Sequence, residues 1–299
     1  VRALITGGQG FVGRHLEEHL KDRGDEVVIL DLETDVTDMD SIGPAIERAT
    51  PDAIYHLAAL THVGDSWNDP SAVLTVNVVG TANVLAGARC SPTNPRVLVV
   101  SSAEVYGVVS AEDLPLTETS PVAPASPYAA SKAAAEQVAL QAARGFGQHV
   151  MVVRPFNHVG PGQAPVFAVP ALAKRIVEAK AAGAKELQVG TLSTRRDFTD
   201  VRDVVKAYRA LMESGASGEI YNVASGVDVS IEEIVERLLA IVGISLERVL
   251  DPNLVRPVDV PVLRGSFAKL HETARWSPAI QLEQTLRDVV ASFQGEASL

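Results

Sequence analysis

The chain begins with "VRALITGGQGFVGRHL", and few folds accept that opening. Ala3–Thr6 reads as a buried strand, and Phe11–Lys21 carries the apolar spacing of an amphipathic helix. Gly7, Gly10 and Gly13 stand between and just inside them. At a strand-to-helix junction, the first glycine allows the tight turn and the second lets backbone approach a pyrophosphate. The third lets helix pack closely on strand. The helix start adds free N–H groups and the positive end of a dipole. The junction points to dinucleotide binding, with Gly7, Gly10, Phe11, Val12 and Gly13 as contacts. A merely structural glycine turn is the alternative.

The same rhythm recurs through the first half of the chain. Apolar runs at Glu26–Leu30, Ala53–Leu57, Val97–Ser101 and Val150–Arg154 alternate with helical stretches at Ile42–Ala49, Val73–Arg89 and Tyr128–Arg144. The pattern predicts an α/β fold, a doubly wound parallel sheet of the Rossmann type, over residues 1–154. Past Arg154, Pro and Gly crowd "RPFNHVGPGQAP", and a second helix-rich region succeeds it. Residues 155–299 are expected to form mainly a smaller substrate-binding domain. The chain should return to the first domain near 197–224, through a strand at Glu219–Val223. With no repeat and no low-complexity linker, the two regions should pack closely.

Composition narrows the class. Of 299 residues 46% are hydrophobic and 21% charged, an ordinary soluble balance. A formal charge of −11 argues against a nucleic-acid partner. Cys90 is the single cysteine, and the seven histidines show no pair at metal-ligand spacing, so neither disulfide nor metal is expected. No apolar run approaches a membrane span, and no leader precedes the first strand. These features predict a cytoplasmic protein without a membrane partner.

Three further stretches carry chemistry. Asp31 ends the second strand, where a carboxylate can bind the adenosine ribose and repel the extra phosphate of NADP. No arginine comes after it, which favours NAD(H) while leaving NADP(H) possible. "LDLETDVTD" is short for a parallel crossover, so a truncated connection and a solvated loop acid remain open for Asp31. "PYAASK" starts a helix with Pro127 in its first turn and puts Tyr128 and Lys132 on one face. Alone, that pair reads equally well as solvated. "VLVVSSAEVYG" ends a buried strand in hydroxyls, at the sheet edge where such folds place ligands.

Together, GxxGxxG at Gly7–Gly13, "HLAA" at His56–Ala59, "NVVGT" at Asn77–Thr81, "SSAEVYG" and Tyr-x-x-x-Lys resemble the extended short-chain dehydrogenase/reductase family over essentially the whole chain. The resemblance implies a catalytic set of Ser102, Tyr128 and Lys132. It also implies cofactor contacts at Leu57, Ala58, Ala59 and Asn77, shared with Tyr128 and Lys132. Ketone reduction sends hydride to carbon and a proton to oxygen, so an acid must sit on the oxygen. A free phenol, with a pKa of about 10, is a poor shuttle at neutral pH, and a nearby ammonium favours its ionised form. Lys132 would supply that charge, and Ser102 would orient the carbonyl.

"RPFNHVGPGQ", "TRRDFTDVRDVVKAY" and "LVRPVDVPVLRGS" look like the sugar-nucleotide branch, and most like its reductases of GDP-4-keto-6-deoxy-D-mannose. That implies NAD(P)H-dependent reduction of a 4-keto group on a nucleotide-linked 6-deoxyhexulose, GDP-linked by preference, yielding GDP-D-rhamnose. Arg196 and Arg256 would bind the diphosphate and Asn157 would add a neutral donor, against surface ion pairs and a turn residue as alternatives. Lys174 is a candidate at the pocket wall, and His158 reads as packing. Related 4,6-dehydratases use a glutamate where Glu104 stands, but position 103 is Ala, which carries no proton. Glu104 therefore reads as a pocket residue, with a dehydratase base as the alternative. A sugar-nucleotide 4-epimerase, a 4,6-dehydratase and a non-catalytic NAD-binding scaffold are the competing functions. The family also implies a homodimer through the helices at Val73–Arg89 and Tyr128–Arg144.

Overall fold

The computed structural model describes residues 1–254 and 260–296. Its first part runs β1 (Arg2–Thr6), α1 (Phe11–Asp22), β2 (Glu26–Leu30), α2 (Met39–Ala49), β3 (Ala53–His56), α3 (Val63–Ser66), α4 (Pro70–Leu74), α5 (Gly80–Cys90), β4 (Arg96–Val100), α6 (Pro127–Phe146) and β5 (Val150–Pro155). Next come β6 (Asn157–Val159), α7 (Ala168–Ala182), β7 (Glu186–Val189), β8 (Arg195–Asp200), α8 (Val201–Ser214) and β9 (Ile220–Val223). The chain closes with β10 (Asp228–Ser230), α9 (Ile231–Val242), β11 (Glu247–Leu250), β12 (Val262–Leu263), α10 (Ala268–Ala274) and α11 (Leu282–Glu296).

Six parallel strands pair in the order β2-β1-β3-β4-β5-β9. Such a sheet is covered on both faces, which is why its strands are continuously apolar. Ala3 and Ile5 of β1 join the layer of α1 and α8, while Leu4 joins the layer of α2, α5 and α6. The chain turns from one side of β1 to the other between β2 and β3. A crevice therefore opens at the carboxyl ends of β1 and β3, where ligands of open α/β sheets bind.

β2 is one of the two edge strands, and the link 31–38 carries turns and no helix or strand. The truncated connection expected from the sequence is not found, because α2 follows these turns and completes a full crossover to β3. The helix expected over Val73–Arg89 starts earlier, at Pro70, where the Asp69 side chain caps it by accepting from the Ala72 N–H. It continues unbroken to Cys90, through a π-helical turn at Thr75–Val79. This 21-residue stretch is long and apolar enough to cross a membrane, contrary to the sequence expectation. Here it is a core helix, packed on α2, α6, β3 and β4.

After β5 a smaller assembly surrounds β8, which pairs with β10, β12 and β6, beside a separate β7–β11 pair. Its own core gathers Leu172, Ile176, Leu187, Ile234, Leu238 and Leu286 from α7, β7, α9 and α11. α8 and β9 belong to the large sheet, so the chain passes back and forth between the two cores.

Asp203 of α8 secures the C-terminal segment. Its buried carboxylate accepts the backbone N–H groups of Ala279 and Ile280, both at 2.7 Å, and Trp276 donates its indole N–H to the Asp203 carbonyl at 2.9 Å. Asp203→Ala orphans those two donors, at about 1–3 kcal/mol each. Thermal unfolding should shift down by several degrees, and an unchanged midpoint would show that the segment is held by its apolar contacts alone.

Candidate active site

A cavity of about 790 Å³ occupies the crevice. At its floor, Gly7 adopts a φ of +71°, and a Cβ there would lie 2.8 Å from the Ala58 nitrogen. A Cβ on Gly13 would lie 2.4 Å from the Gly8 carbonyl oxygen, so α1 can approach β1 only with glycine there. The start of α1 has no side-chain cap and no acid in its first turn. Its N–H groups thus face the cavity uncompensated, the arrangement that receives a phosphate. At the β2 end the Asp31 carboxylate is fixed by the backbone N–H groups of Gln9 (2.7 Å) and Leu32 (2.9 Å). The residues present fit a dinucleotide: a pyrophosphate on the loop and a ribose at Asp31.

Beneath the loop runs an oriented chain of hydrogen bonds. Thr81 gives its proton to the Asn77 carbonyl at 2.6 Å, so His56 Nε2 donates to the Thr81 oxygen at 3.0 Å. His56 Nδ1 then accepts from Thr6 at 2.7 Å. Burial, reinforced by the Lys132 charge, lowers the His56 pKa to about 3, and the ring remains neutral. "HLAA" and "NVVGT" are therefore one structural unit. Asn77 pins the loop after β3 by accepting from the Leu60 N–H (2.8 Å) and donating to its carbonyl (3.1 Å), and it also donates to Ser131.

Tyr128 and Lys132 enter the cavity from the first turns of α6, whose start is capped by Ser126 with Pro127 next. Ser102 enters from the turn after β4. Burial pushes the Tyr128 phenol up to about 12; a hydrogen bond with Ser102 opposes this and the Glu104 charge adds to it. Burial lowers Lys132 to about 8, against the pull of Glu136, and its ammonium donates to the Val100 carbonyl at 2.8 Å. The expected lowering of the phenol by Lys132 is therefore not found. The lysine is turned toward the strand end, and desolvation dominates both groups.

The same architecture occurs in proteins of known activity. Residues 30–289 match the family model described as GDP-mannose 4,6 dehydratase. The GDP-6-deoxy-D-mannose reductase of Pseudomonas aeruginosa is 38% identical over 98% of this chain and 97% of its own length. The chain belongs to this family. It is of the extended short-chain dehydrogenase/reductase type, an NAD(P)-dependent group of sugar-nucleotide enzymes. The structure of RMD from Pseudomonas aeruginosa complexed with NADPH superposes with a TM-score of 0.91 at 36% identity, covering 99% of this chain and 100% of that one. Thermus thermophilus UDP-glucose 4-epimerase, complexed with NAD, gives 0.88 at 29% identity, with 99% of each chain covered.

Fourteen of the residues singled out from the sequence line the cavity: Gly7, Gly10, Phe11, Val12, Gly13, Asp31, Leu57, Ala58, Ala59, Ser102, Glu104, Tyr128, Lys132 and Asn157. Three others do not. Asn77 is buried behind the loop it pins. Lys174 sits half-exposed on α7, 3.8 Å from Glu178, because the cavity faces other turns of the chain. Arg196 is buried, donating to the Val260 and Arg195 carbonyls at 2.6 and 2.9 Å. Arg256 lies outside the described residues. His158 packs as expected, stacked on Phe11 with Nδ1 at 3.2 Å from the Phe156 carbonyl. Sequence reading misses His62, Gln163, Phe167 and Tyr208, which also line the cavity. Gln163 ends the Pro/Gly stretch and His62 stands just past "HLAA", so adjacency is the available signal.

Asp35 lines the β2 end together with Asp31, a doubly acidic setting for a ribose. Asp31→Ala should shift the ratio of kcat/KM for NADH to that for NADPH about tenfold toward NADPH, through weaker NADH binding and relief of phosphate repulsion. Steady-state kcat/KM for both cofactors measures this, and equal use of both by the unaltered protein would remove Asp31 from the choice.

Proposed function

We propose that the chain reduces the 4-keto group of GDP-4-keto-6-deoxy-D-mannose to give GDP-D-rhamnose, with NADH favoured over NADPH. The observation that carries this reading is the Tyr128–Ser102 pair in a cavity where Glu104 has the proton-inert Ala103 beside it. A pKa pushed up to about 12 leaves Tyr128 an acid at neutral pH, as reduction requires of it. Epimerases and dehydratases begin with an oxidation, for which the phenolate is needed. Apart from Asp31 and Asp35 at the β2 end, Glu104 is the only carboxylate among the described lining residues, and its neighbour is the buried Ala103. The 38% identity to a reductase of this substrate class supports the same choice.

Reduced nicotinamide, when bound, supplies the hydride. Ser102 holds the substrate oxygen, Tyr128 delivers its proton to that oxygen, and the Lys132 ammonium, held at the Val100 carbonyl, places a positive charge in the cavity wall. Gly7, Gly10 and Gly13 seat the pyrophosphate, with Leu57, Ala58 and Ala59 on the facing wall. We read residues 1–154, with the α8–β9 return, as the dinucleotide half and the remainder as mainly the sugar-nucleotide half. Asn157 at the cavity mouth contributes a substrate contact, and Arg196 supports the chain near Val260. Leu74 and Val79, exposed on the Pro70–Cys90 helix, supply an apolar face for a homodimer.

Tyr128→Phe should lower kcat by about 10²–10⁴-fold, the usual worth of a positioned acid, and leave NADH affinity nearly intact. Fluorescence titration and turnover together test it, and unchanged turnover would take Tyr128 out of the mechanism. The reductase is separated from its relatives by cofactor traffic. Supplied with the 4-keto sugar nucleotide, the protein should consume NADH one for one, and Glu104→Gln should keep most of that activity. Formation of a 4-keto sugar from GDP-mannose with catalytic NAD, lost in Glu104→Gln, would establish the dehydratase instead.

A further inference from the structure

The three catalytic side chains come from two separate elements. Ser102 comes just after β4, whereas Tyr128 and Lys132 lie on α6. One turn beyond Lys132, Glu136 is fully buried. Its Oε1 accepts from the Ser101 hydroxyl at 2.5 Å and from Arg154 Nε at 2.9 Å, and its Oε2 accepts from Arg154 Nη2 at 2.8 Å. Ser101 immediately precedes Ser102, and the preceding Val100 carbonyl receives the Lys132 ammonium. Two consecutive residues at the end of β4 are thus bound to two consecutive turns of α6. Arg154, on the neighbouring strand β5, is anchored further by Tyr106 (3.1 Å) and the Glu118 carbonyl (3.3 Å), and Tyr106 donates to Asn222 of β9 at 2.7 Å.

We infer that Glu136 is the positioning residue of the catalytic set: it locks the strand end that carries Ser102 to the helix that carries Tyr128 and Lys132, and sets its carboxylate one turn from the buried lysine. The inference rests on the proposed reading only in taking those three residues as the catalytic set. A helix surface places Glu136 beside Lys132, four residues apart. Of the other titratable or charged groups, His56 of β3 feels the Lys132 charge, Arg154 of β5 pairs with Glu136 itself, and Tyr128, Glu104 and Tyr208 line the same cavity. His56 is neutral, and Glu136 is the carboxylate that raises Lys132 against the lowering by burial. Without it the ammonium loses its proton at lower pH.

The test is Glu136→Gln, which keeps an oxygen for Ser101 but removes the charge. Because this leaves Arg154 unpaired in the interior, the paired variant Glu136→Gln with Arg154→Leu is measured alongside. The pH dependence of Lys132 labelling by a small amine reagent, read by mass spectrometry, reports the lysine without needing turnover. Its midpoint should fall by about one pH unit in both variants. The alkaline limb of kcat should move down with it, kcat at neutral pH should drop about tenfold, and NADH affinity by fluorescence should stay within about twofold. Ser101→Ala should lower kcat without moving the limb. A purely structural carboxylate would cost stability while the labelling midpoint stayed in place, and an unmoved midpoint in the paired variant overturns the inference. Absence of NADH-dependent turnover in the unaltered protein would count against the proposed function while leaving the labelling result readable.

Discussion

An ion pair without access to water holds the catalytic end of this molecule together. Burying Glu136 and Arg154 requires both to be stripped of hydration, a cost their attraction offsets only when the geometry is good and the remaining polar atoms are satisfied. Here the guanidinium fork meets both carboxylate oxygens, and burial's penalty on Arg154 is outweighed by the hydrogen bonds and charge of Glu136, so its pKa is raised. Removing one partner of such a pair typically costs about 3–5 kcal/mol, a large share of a domain's net stability. α6, β4 and β5 are consequently fixed to one another at the place where they deliver side chains to the cavity.

Much of the fold is legible because parallel strands buried on both faces leave an unambiguous apolar signature. The strands of the large sheet agree with the sequence reading within a residue or so at each end. The glycine loop is equally plain, since only glycine survives where a Cβ would meet backbone at Gly7 and Gly13. What escapes is tertiary. Glu136 and Arg154 look like ordinary surface charges in sequence, and only the approach of α6 to β5 buries them. Lys174 and Arg196 read as ligands by their chemistry, which says nothing of direction: one points away from the cavity and the other into the chain. Spacing suggests that Lys132 tunes Tyr128, but spacing carries no information about desolvation, which dominates both groups.

Desolvation also bears on how the site holds its proton. A phenol whose pKa is raised holds its proton across the physiological range and gives it up only to an oxygen that is becoming an alkoxide. A reductase, an epimerase and dehydratases are all among the proteins this chain resembles, so one fold serves several chemistries, and neighbours such as Ala103 are where they can differ. Specificity in this fold is then a matter of surroundings more than of the reacting residues.

The π-helical turn at Thr75–Val79 has a consequence for how this sequence can change. An α-helix advances about 100° per residue, and a wide turn absorbs one extra residue without breaking the helix. Asn77 reaches the Leu60 backbone from inside that turn, while Thr81 reaches His56 from just beyond it. Removing a single residue between Leu74 and Gly80 would restore regular winding but swing one contact about a quarter-turn away from its partner. The segment is therefore intolerant of a change in length, and a constant span is the trace it should leave among related chains.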